Sequence, residues 1–165
     1  MGRLSKRKAR WWEMSEPRTW QFHLEPKIVS VYFGAAGSFA YDESGEFVVV
    51  QGFAWLPKQP LEHRHIFHPK LALAYLALLN SPIMNDLLAA TSASVQGGQW
   101  DLSARYVENI AIPNLVTAVS TTLVDELAML GKSIHDGTIA LEDRLQDLAG
   151  VAYGLASEGN ETNIG

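Results

Sequence analysis

The sequence predicts an α+β fold: a twisted antiparallel β-sheet in the N-terminal half, followed by α-helices that end in a helical hairpin. Two observations carry this. Up to about residue 70 the apolar residues come in short β-branched and aromatic runs separated by tight turns, whereas beyond it they recur at spacings of three and four. The strand-like runs are also joined by connections too short for crossover helices, which favours antiparallel pairing.

Taken in order, residues 1–9 show no periodicity and read as a basic tail, with five Lys/Arg among the first ten residues. Residues 10–14 are aromatic and predict a short strand ended by Pro17. Residues 26–33 (PKIVSVYF) predict the best early strand, and Gly34-Ala-Ala-Gly37 a loop. Residues 38–41 predict a second strand, and Asp42-Glu43-Ser44-Gly45 a turn with glycine where positive φ is needed. Residues 46–51 predict the returning strand. Its continuous run Phe47-Val48-Val49-Val50 implies burial on both faces, and residues 53–56 extend it past Gly52.

From Lys70 the period changes. Leu71, Leu73, Leu76, Leu78 and Leu79 form a broad helical stripe that stops at Asn80-Ser81-Pro82. Ser81 is placed to cap a second helix opened by Pro82. Residues 91–99 read as a Ser/Gly loop, Ser103 as the cap of a short helix, and residues 110–112 as a short strand. Val116, Val119, Leu123, Leu127, Leu130 and Ile134 predict one long amphipathic helix closed by Asp136-Gly137. Leu141, Leu145, Leu148, Ala152 and Leu155 predict its antiparallel partner, and residues 157–165 a flexible tail.

The totals narrow the function. With 165 residues and 47% apolar content, the chain can bury one ordinary core. No apolar run reaches the roughly 18 residues of a membrane span, and Met1–Arg10 leads into Trp-Trp-Glu rather than an apolar signal core. We therefore expect no membrane association. The lack of cysteine excludes disulfides and thiolate metal sites and fits a cytoplasmic protein. The net charge of −5 conceals an asymmetry: residues 1–70 carry ten Lys/Arg against seven Asp/Glu, and residues 71–165 three against eleven. A polyanion is tolerated by the first part and repelled by the second.

Catalytic chemistry is absent from the pattern. There is no Asn/Asp/Ser-Pro-Pro-Tyr/Phe loop, no glycine-rich nucleotide loop and no Gly-x-Ser-x-Gly elbow. The pairs Asp125-Glu126 and Glu142-Asp143 lie on polar helix faces and read as solvated. His63-Arg64-His65 with His68 has the spacing of a zinc site but carries an arginine among the ligands and only Glu62 as a nearby carboxylate, so phosphate contact or solvation is preferred to metal.

The order of elements over residues 71–115, a leucine helix, Leu-Asn-Ser, a second helix, Gly97-Gly98 and then Leu102…Ile110-x-Ile112-Pro113, resembles the target recognition domains of bacterial N6-adenine DNA methyltransferases. More loosely it resembles the specificity subunits of type I restriction-modification systems. RWWEMSEPR (residues 10–18), PKIVSVYF (26–33) and SFAYDESGEFVVVQGF (38–53) are similar to the family's lead-in strands and central hairpin, and EDRLQDLAGVAYGL (142–155) to its closing helix.

The resemblance implies a double-stranded DNA recognition domain over residues 10–115 and a helical hairpin over 116–156 that packs on it or on a partner. Methyltransferase activity would then belong to a catalytic domain or subunit elsewhere, with no enzyme activity and no cofactor in this chain. The DNA contacts it suggests are Lys27, at the family's Pro-Lys step, and Gln96 and Gln99, in the glycine loop near the recognition face. The cations Arg10, Arg18, Lys58 and Arg64 and the histidines His63 and His65 are further candidates, being near strand ends or in loops. Glutamine amides suit an adenine edge. Trp11, Trp12, Trp20 and Trp55 suit a core better than a base contact, and Asn80 and Ser81 are assigned to capping. The alternative is a protein-interaction or oligomerisation module in which the acidic C-terminal hairpin docks a partner or a second copy of the chain.

Overall fold

The computed structural model describes residues 24–35, 38–56, 68–117, 119–138 and 142–155. Among the described residues there are six strands: β1 (Lys27–Ser30), β2 (Phe33–Gly34), β3 (Phe39–Asp42), β4 (Phe53–Trp55), β5 (Ser94–Val95) and β6 (Gln99–Asp101). The described residues also form five helices: α1 (Pro69–Leu79), α2 (Pro82–Thr91), α3 (Ala104–Val107), α4 (Thr121–His135) and α5 (Glu142–Ala152). The strands form two antiparallel three-stranded sheets, β3-β1-β4 and β2-β6-β5. The expected α+β architecture is therefore present, with two small sheets in place of one.

The split follows from where backbone groups find partners. Residues 26–33 do not form one strand. β1 ends at Ser30, Val31 and Tyr32 come half to the surface, and Tyr32 O accepts a hydrogen bond from Leu102 N while Phe33 pairs with Asp101. Pairing with a segment almost 70 residues downstream thus draws the chain out of the first sheet.

The returning strand expected over residues 46–51 is also absent. The Asp42 carboxylate accepts from Gly45 N and Phe47 N, so the turn closes on a side chain rather than on a ladder. The chain then crosses to the far edge of β1, where β4 pairs Ile28 with Trp55. The run expected to be buried on both faces is instead exposed: Phe47 is 70% and Val50 65% accessible, and only Val49 is buried.

α1 is the hub. Its sequence, PKLALAYLALL, carries no charge after Lys70, and a helix apolar all round is a buried helix. Ala72, Leu76 and Leu79 pack with Ile28, Phe39, Tyr41, Met84, Leu88, Leu102 and Ile110. Ala74, Ala77 and Leu78 pack with Leu115, Leu123, Leu127, Leu145 and Leu148 on the other side. α4 contacts α5 as a hairpin, yet it packs more extensively on α1. A β-carbon on Gly131 of α4 would lie 1.8 Å from Leu73 O of α1, so only glycine permits this helix approach.

Caps account for the remaining boundaries. Ser81 Oγ accepts from Met84 N at the start of α2, as expected. Asn80, expected to cap, also ties α1 to the first sheet: its amide accepts from Phe39 N at 3.2 Å and donates to Phe39 O at 3.1 Å. α4 begins at Thr121 rather than Val116 because Ser120 Oγ accepts from Leu123 N, and Val116 is exposed. Gly137 closes α4, with Thr138 N donating to Ser133 O. Ser103 precedes α3 without a side-chain cap bond, and residues 110–112 form no strand. Among the described residues, no single helix is long and apolar enough to cross a membrane.

Candidate nucleic-acid interface

Residues 91–99, read as a loop, contribute to an exposed β-hairpin. β5 and β6 form a hairpin with Val95 opposite Gln99 and Ser94 opposite Trp100. The tip is Gln96-Gly97-Gly98, with φ of 87° and 72° at the two glycines and nothing within 4 Å of either missing β-carbon. The tip thus stands clear of the body, and Gln96 and Gln99 are both exposed. Both were expected to contact DNA from a flexible glycine loop; the structure places them at the end of a short β-hairpin instead.

Strand alternation sorts the hairpin's side chains. Trp100 turns toward α2, where its indole N–H donates to Asn85 Oδ1 at 3.2 Å. Gln99, Asp101 and, opposite Asp101, Phe33 therefore share the other face of the sheet. Phe33 also belongs to a run of ring contacts: it meets Tyr32 edge-on at 4.8 Å, and Tyr32 lies 5.1 Å from Phe53. Phe33 and Tyr32 are 44% and 40% exposed, enough to be reached from outside.

Asp101 is the anchor of this face. It is buried, accepts from Ser103 N at 2.8 Å, and pairs with Arg105 Nη2 at 3.1 Å. Burial pushes its carboxyl up, but the hydrogen bonds from Ser103 and Arg105 outweigh this and hold it below the ordinary aspartate range. Arg105 lies over the Tyr106 ring, 4.5 Å from its centre, with its side chain 69% exposed. Neither residue was singled out from sequence. The readable signal was Asp-x-Ser-x-Arg over residues 101–105, an Asp placed to cap a turn and a cation four residues on.

Lys27 requires a correction. Expected to touch a phosphate, it is 2% exposed, and its ammonium donates to Asp42 Oδ2 at 2.6 Å and to the carbonyls of Glu25 and Gly45 at 3.3 Å each. Its three donors are all engaged inside the protein. β1 is the middle strand of its sheet, and at Lys27 both faces are covered, so a strand lysine here serves the fold.

Arg10, Arg18, Lys58, His63, Arg64 and His65 lie outside the described residues, as do Trp11, Trp12 and Trp20. Trp55 is a half-buried strand residue whose indole N–H donates to Ser30 Oγ at 2.9 Å. His68 stands at the N-cap of α1, and among the described residues no group of three metal-binding side chains converges.

Charge completes the picture. The described residues hold five of the 13 Lys/Arg and 13 of the 18 Asp/Glu. Each of those five cations is in an ion pair: Lys27 with Asp42, Lys70 with Asp125, Arg105 with Asp101, Lys132 with Asp136 and Arg144 with Glu126. The other eight fall within residues 1–23 and 57–67. No family model matches the chain, and no curated protein matches it.

Proposed function

We propose that this chain is a double-stranded DNA recognition module of a DNA adenine methyltransferase or restriction-modification system, with the catalytic domain supplied by a separate domain or subunit. The observation that carries the reading is the exposed Gln96-Gly97-Gly98-Gln99 tip, which sits within the ordered set of helix, Leu-Asn-Ser, helix, glycine pair and Ile-Pro that resembles such modules. A β-ribbon ending in two exposed amides suits entry into a major groove, where an amide can pair with an adenine edge.

The charge distribution supports a division of labour. The described body has all its cations paired, so attraction to phosphates falls to Arg3, Lys6, Arg7, Lys8, Arg10, Arg18, Lys58 and Arg64. The alternative, a protein-interaction module, is favoured by the acidic outer face of α5, where Glu142, Asp143 and Asp147 are exposed. The apolar faces of α4 and α5, however, already pack on α1 and α2.

The test is binding of the full chain to a random-sequence duplex of 20–30 base pairs at low and moderate salt. Contact with six or more phosphates predicts roughly a 10³-fold loss of affinity between 50 and 200 mM salt. Gln99→Ala is expected to narrow discrimination between preferred and random sites by about 1–3 kcal/mol. Neutralising Glu142 and Asp143 should not weaken binding. Absence of duplex binding at low salt, together with capture of a protein partner that α5 variants lose, would replace this reading with the alternative.

A further inference from the structure

We infer that Arg105 is the side chain through which this face reads a guanine, in the same groove that Gln99 enters. The inference rests on the DNA-recognition reading above and adds to it a residue and a base chemistry.

Three observations support it. First, the guanidinium is oriented before any ligand arrives. Asp101 holds one edge through the 3.1 Å bond to Nη2, and the Tyr106 ring lies against its flat face at 4.5 Å. With 69% of the side chain exposed and one donor held by Asp101, the guanidinium keeps further N–H donors accessible to a ligand. Secondly, Asp101, the residue that aims Arg105, shares its sheet face with Gln99 and Phe33, so the arginine and the glutamine belong to one surface. Thirdly, the other described cations are elsewhere: Lys27 is buried, and Lys70, Lys132 and Arg144 lie on α1, α4 and α5.

The pairing with Asp101 decides between two roles. A cation meant to attract phosphate works by net charge, and a carboxylate at its side cancels much of that charge. What the carboxylate leaves intact is direction, a planar fork fixed in space, and the bidentate match of such a fork is the O6/N7 edge of guanine. Gln99 beside it suits adenine, so the face has the donors for a mixed purine step.

The experiment is selection from a randomised duplex pool by the full chain, comparing the parent with Arg105→Lys and Arg105→Ala, with thermal midpoints measured alongside. The parent is expected to select a site containing a required guanine. Both variants should lose preference at that one position by about 5- to 150-fold, with a smaller change in affinity for pooled random duplex. Loss in the lysine variant, which keeps the charge, assigns the effect to the fork. Unchanged preference at every position, or an equal loss on all duplexes, would overturn the assignment while the parent's selection stands. A parent that selects no site would remove the DNA reading itself, and Arg105 with it.

Discussion

Each of the two sheets carries a carboxylate paired with a cation, and the pairs do opposite things. In the β3-β1-β4 sheet, Lys27 and Asp42 are both 3% exposed at the side chain, and every donor of the lysine is satisfied inside the protein. In the β2-β6-β5 sheet, Asp101 is 8% exposed and Arg105 69%. The first pair therefore holds together a turn and two strands. The second buries only its anion and uses it to aim a cation at solvent. Both pairs are anchored on the middle strand of a sheet; the difference is that Lys27 itself lies on that strand, whereas Arg105 stands on the short helix α3 that follows it.

The largest expected effect comes from the buried pair. Asp42→Ala strands an ammonium and also leaves Gly45 N and Phe47 N without their acceptor, and should destabilise the protein by about 3–5 kcal/mol in urea unfolding at pH 7. Combining Lys27→Met with Asp42→Leu should recover the part due to the stranded charge. If Asp42→Ala unfolds at the parent's urea midpoint, the pair is solvated and Lys27 returns as a candidate contact.

Acid titration sharpens the comparison. Burial raises the Asp42 carboxyl, but hydrogen bonds from Lys27, Ser44 and Phe47 N and the lysine's charge bring it below the ordinary value. A carboxyl depressed in the folded state contributes stability that is present above its unfolded value of about 3.9 and is lost as pH falls through the folded value. The parent should therefore lose stability steadily below about pH 4, and Asp42→Asn should flatten that limb. Asp101 will keep part of the slope, because it too is held low. An identical acid limb in the two proteins would show that Asp42 is not held low in the fold.

The smallest effect belongs to the hairpin. Gly98→Ala meets no atom within 4 Å but must adopt φ near 72°, at about 1–2 kcal/mol. Because the two tip glycines have nothing within 4 Å of their β-carbon positions, the loss should appear as faster amide exchange confined to residues 94–101. Faster exchange at the amides of β1 and β3 as well would mean that the two sheets open as one unit.

The helical half was legible because its signals are local. Ser81 and Pro82 start α2, Gly137 stops α4, and the leucine stripe after Lys70 marks α1, each from residues within a turn or two of the boundary. The candidate site was half legible. Gly97-Gly98 marked an exposed turn flanked by glutamines, but neither the ribbon under it nor Arg105 was foreseen, since both depend on β6 pairing with Phe33 some 70 residues away.

The sequence by itself determined the class of fold, the change of period near residue 70, the helix boundaries at Ser81 and Gly137 and the asymmetry of charge, because these are set by spacing and composition within short windows. Only the tertiary structure decided that the N-terminal strands divide between two sheets, that Phe47 and Val50 face solvent, that Lys27 is a core residue and that Arg105 is presented outward. Each of these turns on which distant backbone completes a strand's hydrogen bonds, and that competition is settled by the whole chain at once.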